Sequence, residues 1–530
     1  MSKKILSVVL ALCLVSTIFA ALPLTAFAAN TDAMPAEYSY GGISYIVTDD
    51  GTAIITGYTG SGTNVNIPGS FRLYSDLRFY TVTEIRANAF NWNEIITSVA
   101  IPDSVTKIGV YAFQGCSSLE SITIPDSVTT IGTSAFRYCS SLTSITIPDS
   151  VTTIGSYLFE ECTSLESISF GKGITSINST VFTNCTSLTE INFADDNEYY
   201  CSENGVLFNK GKTELIQYPI GKTQTTYTIP NSVTTISSNV FMGCTSLTNI
   251  TIPDSVTSIG WYTFSNCTNL TSITIPNSVT TIDEGAFESC TSLTNITIGN
   301  SVTTIGHLAF GYCSSLTSIT IPDSVTTIGI SAFFACTSLT NVTIGNSVTA
   351  LQDTFSNCTS LTSITIPDSV TYIGESVFYG CSSLTSITIP DSVTIIDHFA
   401  FNSCTSLTSI TIPNSVTTIG IFAFDECPNL TTYCYTGSYA ERYAIKNEIP
   451  YVLLGEKAPI IGDADGDGAV TISDVTEIQK YLAQLAVFDE ARKLIADADG
   501  DGNVTVSDAT ELQKHLASLP ANENIGKSVA

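Results

Sequence analysis

Basic residues are scarce in this chain, and their scarcity excludes one broad class of function. The sequence holds 19 Lys and Arg against 48 Asp and Glu, so its formal net charge is −29 although only 13% of its residues are charged. A protein without a basic stripe cannot neutralise a run of phosphates. The composition therefore predicts no nucleic-acid partner.

The usual elements of an active site are also missing from the sequence. Only three histidines occur, and none lies near a matched Ser or Cys nucleophile with an orienting acid. There is no glycine-rich phosphate loop. The adjacent carboxylates Glu160 and Glu161 do not converge on one glycosidic bond. The sequence therefore predicts that the chain is not an enzyme.

A long apolar run occurs once, near the N-terminus. The run from Ile5 to Leu22 follows two lysines and precedes an A-x-A motif that ends at Ala28. This order predicts a secretory signal peptide over residues 1–29, cleaved near Ala28 or Ala29. A membrane anchor is the alternative, since the run is about long enough to span a bilayer, but the cleavage motif favours the signal peptide. We therefore expect a secreted protein with no membrane span after cleavage.

Cysteine, in contrast, is plentiful and regularly spaced. The chain has 16 cysteines, and 15 remain after the predicted cleavage because Cys13 lies in the signal peptide. Steps of 23 residues separate the cysteines at 116, 139, 162 and 185, those from 244 to 336, and those at 358, 381, 404 and 427. A fixed period in the twenties predicts a solenoid, in which each coil packs against its neighbours.

One repeat, SLTSITIPDSVTTIGSYLFEEC at residues 141–162, shows how a coil is built. Ile145 and Ile147 alternate with Thr, which predicts a half-buried strand. The Pro-Asp-Ser that follows predicts a turn, and Val151 points inward again. The segment from Tyr157 to Cys162 is too short for a regular helix, so we expect a single helical turn.

The cysteines and phenylalanines of successive coils are expected to form two ladders along one continuous core. Many cysteines in a secreted chain first suggest disulfides. The odd total and the fixed rhythm favour reduced packing residues instead, since a free cysteine behaves as a small buried apolar residue. The parallel phenylalanine ladder begins at Phe113, Phe136, Phe159 and Phe182.

The repeat pattern L-x-x-I-x-I-P-x-S-V-x-x-I-G-x-x-A-F-x-x-C resembles the BspA-like leucine-rich repeat family of bacterial surface proteins. The resemblance covers about two thirds of the chain. It implies a mainly β solenoid with about 23 residues per coil. Three departures from the repeat also resemble that family: a hairpin turned at Asp50-Gly51, a second hairpin at residues 205–219, and a helix and strand at 438–454.

These features predict the organisation of the whole chain. The predicted segments are a signal peptide (1–29), an N-terminal β cap (30–75), the solenoid (76–454) with a hairpin insertion near 192–228, a linker (455–461) and a C-terminal domain (462–519).

Variation between repeats concentrates after the Ile-Gly pair and beside the phenylalanine. Aromatic residues and acids gather there, whereas the outward strand positions are Ser, Thr and Asn throughout. Exposed aromatic residues favour a binding role, although freely varying surface positions are the alternative. The candidate ligand edge, for a glycan or a protein, comprises Tyr111, Tyr138, Tyr157, Trp261, Tyr262, Tyr379, His398 and Phe399.

Two acidic loops near the C-terminus, DADGDGAVTISD and DADGDGNVTVSD, have the ligand order of an EF-hand calcium loop. Asp occupies positions 1, 3, 5 and 12, a backbone carbonyl is offered at 7, and Thr stands at 9. Ca²⁺ takes six to eight hard oxygen ligands, so each loop predicts one Ca²⁺ and the chain two. The predicted ligands are Asp463, Asp465, Asp467, Ala469, Thr471 and Asp474, and Asp497, Asp499, Asp501, Asn503, Thr505 and Asp508.

Each loop is followed by an amphipathic run, VTEIQKYLAQL or ATELQKHLASL, and FDEARKLIA lies between the two units. Two loop-helix units joined by a short helix resemble a type I dockerin, over Gly462 to about Leu519. The resemblance implies a small all-α, EF-hand-like domain that binds a cohesin module on a scaffolding protein of a cellulosome-like assembly. A domain of about 60 residues has little core and often needs a metal.

The resemblance also implies which residues contact the cohesin. In that family, the residues before the last loop Asp and those midway along the helix choose the partner. The corresponding residues here are Ile472, Ser473, Gln479 and Lys480, and Val506, Ser507, Gln513 and Lys514. The family's usual Ser-Thr pair is replaced by Ile-Ser and Val-Ser, which puts the cohesin class in doubt. Because the two sets match, two docking orientations are expected.

Together these patterns favour a non-catalytic binding or adhesion protein that docks onto a scaffold outside the cell or at its surface. The expected context is polysaccharide degradation, in association with glycoside hydrolases. A purely structural spacer, or an accessory factor of polysaccharide breakdown, is the alternative.

Overall fold

The protein consists of a long β solenoid and a small C-terminal helical domain. The computed structural model describes residues 36–456, 460–466 and 470–527. The predicted signal peptide, residues 457–459 of the predicted linker, and the predicted ligands Asp467 and Ala469 lie outside these ranges. Within the described ranges, no helix is long and apolar enough to cross a membrane.

The solenoid opens with a small mixed sheet that caps the array. Its strands β1, β2 and β3 are antiparallel neighbours, and β3 pairs parallel with β6, which leads into the repeats. The hairpin of β2 and β3 turns at residues 48–51. The cap strands are β1 (Glu37–Tyr40), β2 (Ile43–Val47), β3 (Thr52–Tyr58), β5 (Ser70–Arg72) and β6 (Phe79–Ile85).

Each regular coil then contributes a longer strand, most often of sequence S-I-T or N-I-T. Equivalent strands of successive coils pair in parallel, so that Ile145 lies opposite Ile168. These strands are β4 (Asn64–Asn66), β7 (Ser98–Ala100), β9 (Ser121–Thr123), β11 (Ser144–Ile147), β13 (Ser167–Phe170), β14 (Glu190–Phe193), β18 (Thr226–Thr228), β20 (Asn249–Thr251), β22 (Ser272–Thr274), β24 (Asn295–Thr297), β26 (Ser318–Thr320), β28 (Asn341–Thr343), β31 (Ser386–Thr388), β33 (Ser409–Thr411), β35 (Thr431–Thr436) and β36 (Tyr451–Glu456).

A second strand of two residues follows the Pro-Asp-Ser turn in most coils. It forms a separate parallel ladder, in which Ile131 lies between Ile108 and Ile154. These strands are β8 (Lys107–Ile108), β10 (Thr130–Ile131), β12 (Thr153–Ile154), β19 (Thr235–Ile236), β21 (Ser258–Ile259), β23 (Thr281–Ile282), β25 (Thr304–Ile305), β27 (Thr327–Ile328), β29 (Ala350–Leu351), β30 (Tyr372–Ile373), β32 (Ile395–Ile396) and β34 (Thr418–Ile419).

The third side of each coil is a turn edge, where backbone hydrogen bonds alternate between two directions. The N–H groups of Tyr111 and Phe113 donate to the carbonyls of Thr133 and Ala135 in the next coil, at 3.0 and 2.8 Å. The N–H of Gln114, the residue after Phe113, donates back to Tyr111 within the same coil, at 3.2 Å. Tight turns within a coil are thereby tied to the turns of the coil that follows.

This geometry corrects the helical turn expected at Tyr157 to Cys162. Tyr157 and Glu161 both have positive φ, 56° and 62°, and a right-handed helix cannot contain such residues. Consecutive turns replace it. Among the described coils, only the one at Ser179–Phe182 has a short 3₁₀ helix at this place. Residues with positive φ recur in pairs four residues apart in most of the others.

Phenylalanine and cysteine form the ladders expected from the repeat. The rings of Phe264, Phe287 and Phe310 stack at centroid distances of 5.1 and 5.3 Å. All 15 described cysteines are free, and 13 of them are buried. Each coil buries its apolar face against the next, so the predicted mainly β solenoid is confirmed.

Three antiparallel strands interrupt the array between β14 and β18. They are β15 (Tyr200–Glu203), β16 (Val206–Asn209) and β17 (Glu214–Gln217), and β17 pairs in parallel with β19. A buried asparagine, Asn197, fixes the start of this insertion. Its Nδ2 donates to the carbonyls of Lys172 and Ile174, both at 3.1 Å, and its Oδ1 accepts the N–H of Tyr199 and Tyr200, both at 2.8 Å.

The α-helices of the described chain all lie near its C-terminal end. Helix α1 (Tyr439–Lys446) closes the solenoid beside β35 and β36, and its N-cap is Ser438. The C-terminal domain holds α2 (Ile472–Leu482), α3 (Glu490–Ala496) and α4 (Val506–Leu516). Val475, Ile478 and Leu512 lie in its small core. These helices confirm the predicted small all-α domain.

Candidate calcium sites and partner-binding surfaces

The last acid of each loop joins the loop to the helix that follows. Thr471 is the N-cap of α2, and its N–H donates to Oδ2 of Asp474 at 2.6 Å, which completes a capping box. The other oxygen of Asp474 accepts the N–H of Asp465 at 3.0 Å. One carboxylate thus positions both the helix start and the third loop residue. Threonine at position 9 followed by Asp at 12 favours this capping box.

The second loop repeats this arrangement. The N–H of Thr505 donates to Oδ2 of Asp508 at 2.7 Å, and the N–H of Asp499 donates to Oδ1 at 3.1 Å. At the start of the loop, Asp497 accepts the N–H groups of Gly500, Asp501 and Gly502 at 2.9, 3.0 and 2.7 Å. The second loop therefore curls around its first carboxylate, Asp497.

Carboxylate oxygens converge in both loops. Asp463, Asp465 and Asp474 each offer one oxygen within 4.8 Å of the others, and Asp497, Asp499 and Asp501 do the same. Such convergence of acidic oxygens is the donor set that Ca²⁺ requires. The residues present therefore fit the two predicted ions. Thr471 and Thr505 use their hydroxyls as the N-caps of α2 and α4. Asn503 stands at position 7 of the second loop, between Asp501 and Thr505.

Burial and crowding make these carboxylates costly to ionise without a cation. Asp474 is fully buried, and desolvation together with the nearby Asp465 and Asp463 raises its pKa to about 6. Desolvation likewise raises the pKa of Asp508, and Asp499 and Asp497 add to this effect. A bound divalent cation is often the largest local charge and reverses this preference. The buried acids are thus suited to a site that holds a divalent cation in the folded domain.

The two loop-helix units occupy equivalent positions in the domain. Helices α2 and α4 pack against each other. The two ends of the domain are joined by hydrogen bonds between Ile461 and residues 526–527, at 2.8 and 2.9 Å. The guanidinium of Arg492 on α3 lies 3.0 Å from Glu477 on α2. These hydrogen bonds and this ion pair hold the repeated helices in a fixed relation.

The residues expected to contact a cohesin lie at matching places on α2 and α4. Ile472 and Val506, the first residues of the two helices, are 65% and 70% exposed. Ser473, Gln479, Ser507 and Gln513 are also exposed. Lys480 and Lys514 pair with the glutamates three residues before them, at 2.7 and 2.5 Å. We call Ile472, Ser473, Gln479 and Lys480 the first face, and Val506, Ser507, Gln513 and Lys514 the second face.

Sequence reasoning missed a second set of matched apolar residues. Leu482 and Leu485 at the end of α2 are 36% and 79% exposed, and Leu516 and Leu519 at the end of α4 are 40% and 58% exposed. Their signal in the sequence was the repetition of L-A-Q-L as L-A-S-L. Exposed leucines that recur in both copies extend the symmetry of the two faces.

The candidate ligand residues of the solenoid lie on the turn edge but do not form one cluster. Tyr111, Tyr138, Tyr157, Tyr262 and Phe399 have φ between 51° and 61°. Trp261, beside Tyr262, is 61% exposed, and Tyr379 is 38% exposed. His398 pairs with Asp397. These candidate residues therefore lie in different coils along the array.

Where aromatic residues of the turn edge do meet, they do so across coils. Trp92, which sequence reasoning did not select, stacks on Tyr138 at a centroid distance of 5.7 Å. Its ring lies over Gly115, where a Cβ would come within 2.3 Å of the indole. Phe399 stacks on Phe422 at 5.5 Å. A glycine in one coil therefore makes room for an aromatic pair formed by its two neighbours.

Comparison with known protein families assigns both parts of the chain. A model described as BspA type leucine-rich repeat region matches six copies over residues 83–204, 221–340 and 328–448. A model described as dockerin type I domain matches residues 461–517. No curated protein sequence matches this chain significantly.

Several solved structures are similar to the solenoid. A leucine-rich repeat protein from Eubacterium ventriosum is 28% identical with a TM-score of 0.51, covering 65% of this chain and 94% of that one. A leucine-rich repeat protein from Bacteroides ovatus is 29% identical with a TM-score of 0.44, covering 79% and 99%. A leucine rich cell surface protein from Faecalibacterium prausnitzii is 26% identical with a TM-score of 0.35, covering 78% and 97%.

Proposed function

Because this chain belongs to the BspA-type leucine-rich repeat family and carries a C-terminal type I dockerin domain, we propose that it is a secreted, non-catalytic binding or adhesion protein attached to a scaffold. The dockerin domain implies a cohesin partner. The solenoid supplies the recognition surface, and the setting is an assembly that degrades polysaccharide. Neither family is catalytic, and no catalytic domain was found in the chain.

The duplication of the docking surface is the observation that supports attachment most directly. The first and second faces place an exposed β-branched residue, a serine, an amide and a lysine at equivalent positions of two helices. Each helix starts from a predicted calcium loop, so binding of the ions would fix both faces. A purely structural domain has no need of exposed apolar residues, such as Ile472 and Val506, at matched positions of two helices.

The positions of the aromatic residues favour recognition over a purely structural spacer. A left-handed backbone conformation, with positive φ, costs an ordinary residue about 1 kcal/mol or more. Gly and Asn tolerate this conformation best. Tyr111 and Tyr157 nevertheless occupy such positions and remain exposed to solvent, and Phe399 at such a position is half-buried. Local backbone energetics give no reason for large aromatic residues there, whereas a contact surface does.

A two-part experiment tests this proposal. The full chain is first titrated with purified cohesin modules in calcium and in EDTA, and calcium-dependent binding is expected. The cohesin-bound chain is then applied to glycan and protein arrays. Binding of an array component supports the recognition role, whereas docking without any array signal supports the spacer. A chain that binds no cohesin in calcium contradicts the attachment.

A further inference from the structure

The insertion divides the solenoid and opens its turn edge. Strand β14 ends one parallel sheet and β18 begins the next, and no strand pairing joins them within the described residues. The insertion fills the gap in the core, since Leu207 and Ile216 pack with the coils before it and Phe208 with the coils after it. It rebuilds the turn edge only in part: the N–H of Tyr218 donates to the carbonyl of Val240 in the next coil at 3.2 Å, but the turn before the insertion gains no such partner among the described residues.

The interruption is visible in the backbone hydrogen bonds. In the coil before the break, the N–H of Glu161 donates to Thr183 at 2.9 Å, and after the break the N–H of Gly243 donates to Ser265 at 2.8 Å. The N–H of the equivalent Asn184 donates to no backbone carbonyl of a following coil in the part of the chain that the structure describes. The turn of residues 179–185 therefore presents an unpaired edge.

A groove of about 350 Å³ occupies this break. We call it the junction groove, and its volume falls in the range of small-molecule sites, ~300–1,000 Å³. Four amide side chains line it together with the half-exposed ring of Tyr157. The amides are Asn184, Gln217, Asn239 and Asn266, and no charged residue lines the groove.

Three of the amides are held in place by hydrogen bonds, and the Nδ2 of Asn184 donates to Oε1 of Glu161 at 2.8 Å. Gln217 is only 8% exposed, and its Nε2 donates to the carbonyls of Tyr218 and Val240 at 3.0 and 3.4 Å. Its oxygen is thereby left as an acceptor. The Nδ2 of Asn266 donates to Oγ of Ser265 at 3.0 Å, which likewise leaves its Oδ1 as an acceptor.

We infer that the junction groove binds a segment of a neutral carbohydrate chain. A lining without a charged residue gives a phosphate, a carboxylate or an ammonium group no opposite charge, whereas amides donate to and accept from hydroxyls at the same time. The aromatic ring of Tyr157 supplies an apolar face for the C–H side of a sugar ring. This inference deepens the proposed recognition role of the solenoid, on which it rests, and is independent of docking.

Two substitutions and two matched controls test the inference. Tyr157→Ser removes the ring, and Phe422→Ser removes an exposed ring at the equivalent backbone position of a coil outside the groove, at a residue that is not among the candidate ligand residues. Serine is tolerated at this backbone position, since Ser134 and Ser331 occupy it in other coils. Asn266→Ser is paired with Asn357→Ser, because both residues stand in an F-S-N-C sequence at the same place in the coil and only Asn266 lines the groove.

The full chain in calcium is titrated by calorimetry with cello-, xylo- and manno-oligosaccharides one at a time, and with polygalacturonate as a charged comparator. We expect at least one neutral oligosaccharide to bind, about tenfold weaker binding in Tyr157→Ser and in Asn266→Ser, and unchanged binding in both controls. Cohesin binding of each variant, measured on the same sample, reports on docking separately.

Three results would overturn the inference: no binding of any neutral oligosaccharide, equal binding of polygalacturonate, or losses in the control variants as large as those in Tyr157→Ser and Asn266→Ser. Intact cohesin binding alongside any of these would leave the attachment proposal standing while removing the carbohydrate site.

Discussion

The thiol of Cys139 donates a hydrogen bond to the main-chain oxygen of Phe113 in the preceding coil, with the sulfur 3.2 Å from the oxygen. The same contact joins Cys162 to Phe136 at 3.1 Å and recurs along the array. Cysteine is small and apolar enough for the core, yet its S–H is a weak donor. Neither alanine nor valine combines these properties, which explains a cysteine ladder without disulfides.

The first prediction concerns these thiols. Alkylation of the denatured protein without a reductant is expected to label most cysteines, because each is free. In the native protein, labelling is expected to be slow, since burial raises the pKa of Cys267 and Cys313 to about 12. The half-buried Cys201 and Cys427 are expected to react first. Mass spectrometry of both samples checks this, and extensive bridging along the array would refute it.

The second prediction concerns calcium removal. A fragment of residues 456–530 is expected to lose its helical circular dichroism in EDTA and to regain it in calcium, because fully buried Asp474 and Asp508 otherwise lack a cation. Changing both Asp463 and Asp497 to Ala is expected to have the same effect as EDTA. Glu523→Ala removes an exposed acid outside the loops and is the control. A spectrum indifferent to EDTA would contradict the calcium sites.

The third prediction concerns the two docking faces. If they are alternative surfaces, disrupting one is expected to weaken cohesin binding by about a factor of two, roughly 0.4 kcal/mol. Disrupting both removes the central contacts and is expected to cost several kcal/mol. The test variants are Ile472→Asp with Lys480→Ala on the first face, Val506→Asp with Lys514→Ala on the second, and all four together.

Calorimetry with a cohesin from the same organism measures these differences. Circular dichroism in calcium serves as the folding control, because each change lies at a residue outside the small core. A variant of one face that already loses all binding would show that a single orientation is used.

The fourth prediction concerns Asn197, which is fully buried and joins the insertion to the preceding coil. Asn197→Ala leaves two carbonyls and two N–H groups without their partner, and a buried group left unsatisfied costs about 1–3 kcal/mol. Thermal unfolding of the solenoid is therefore expected at a lower temperature. Asn295→Ala, at an exposed strand position, is the control and is expected to change stability by less than about 0.5 kcal/mol. Equal unfolding of both variants would rule out this role for Asn197.

The repeat made much of the fold predictable. Both resemblances were confirmed, and the alternation at Ile145 and Ile147 correctly predicted a strand with one buried face. The turn edge was not predictable, because the sequence S-Y-L-F-E-E carries no glycine or asparagine to signal the positive φ of Tyr157 and Glu161. Hydrogen bonds from neighbouring coils impose that conformation, and a single repeat does not show them.

The amino-acid sequence by itself determined the period, the buried positions, the order of the acids in the two loops and the duplication of the helices that follow them. These are local or periodic properties, and each depends on spacing along the chain. Tertiary structure alone decided which residues meet across the insertion. Tyr157 and Asn266 are far apart in sequence and line one groove only because the insertion fills the core without completing the turn edge. Such a break in stacking is a property of neighbouring coils, and no single repeat encodes it.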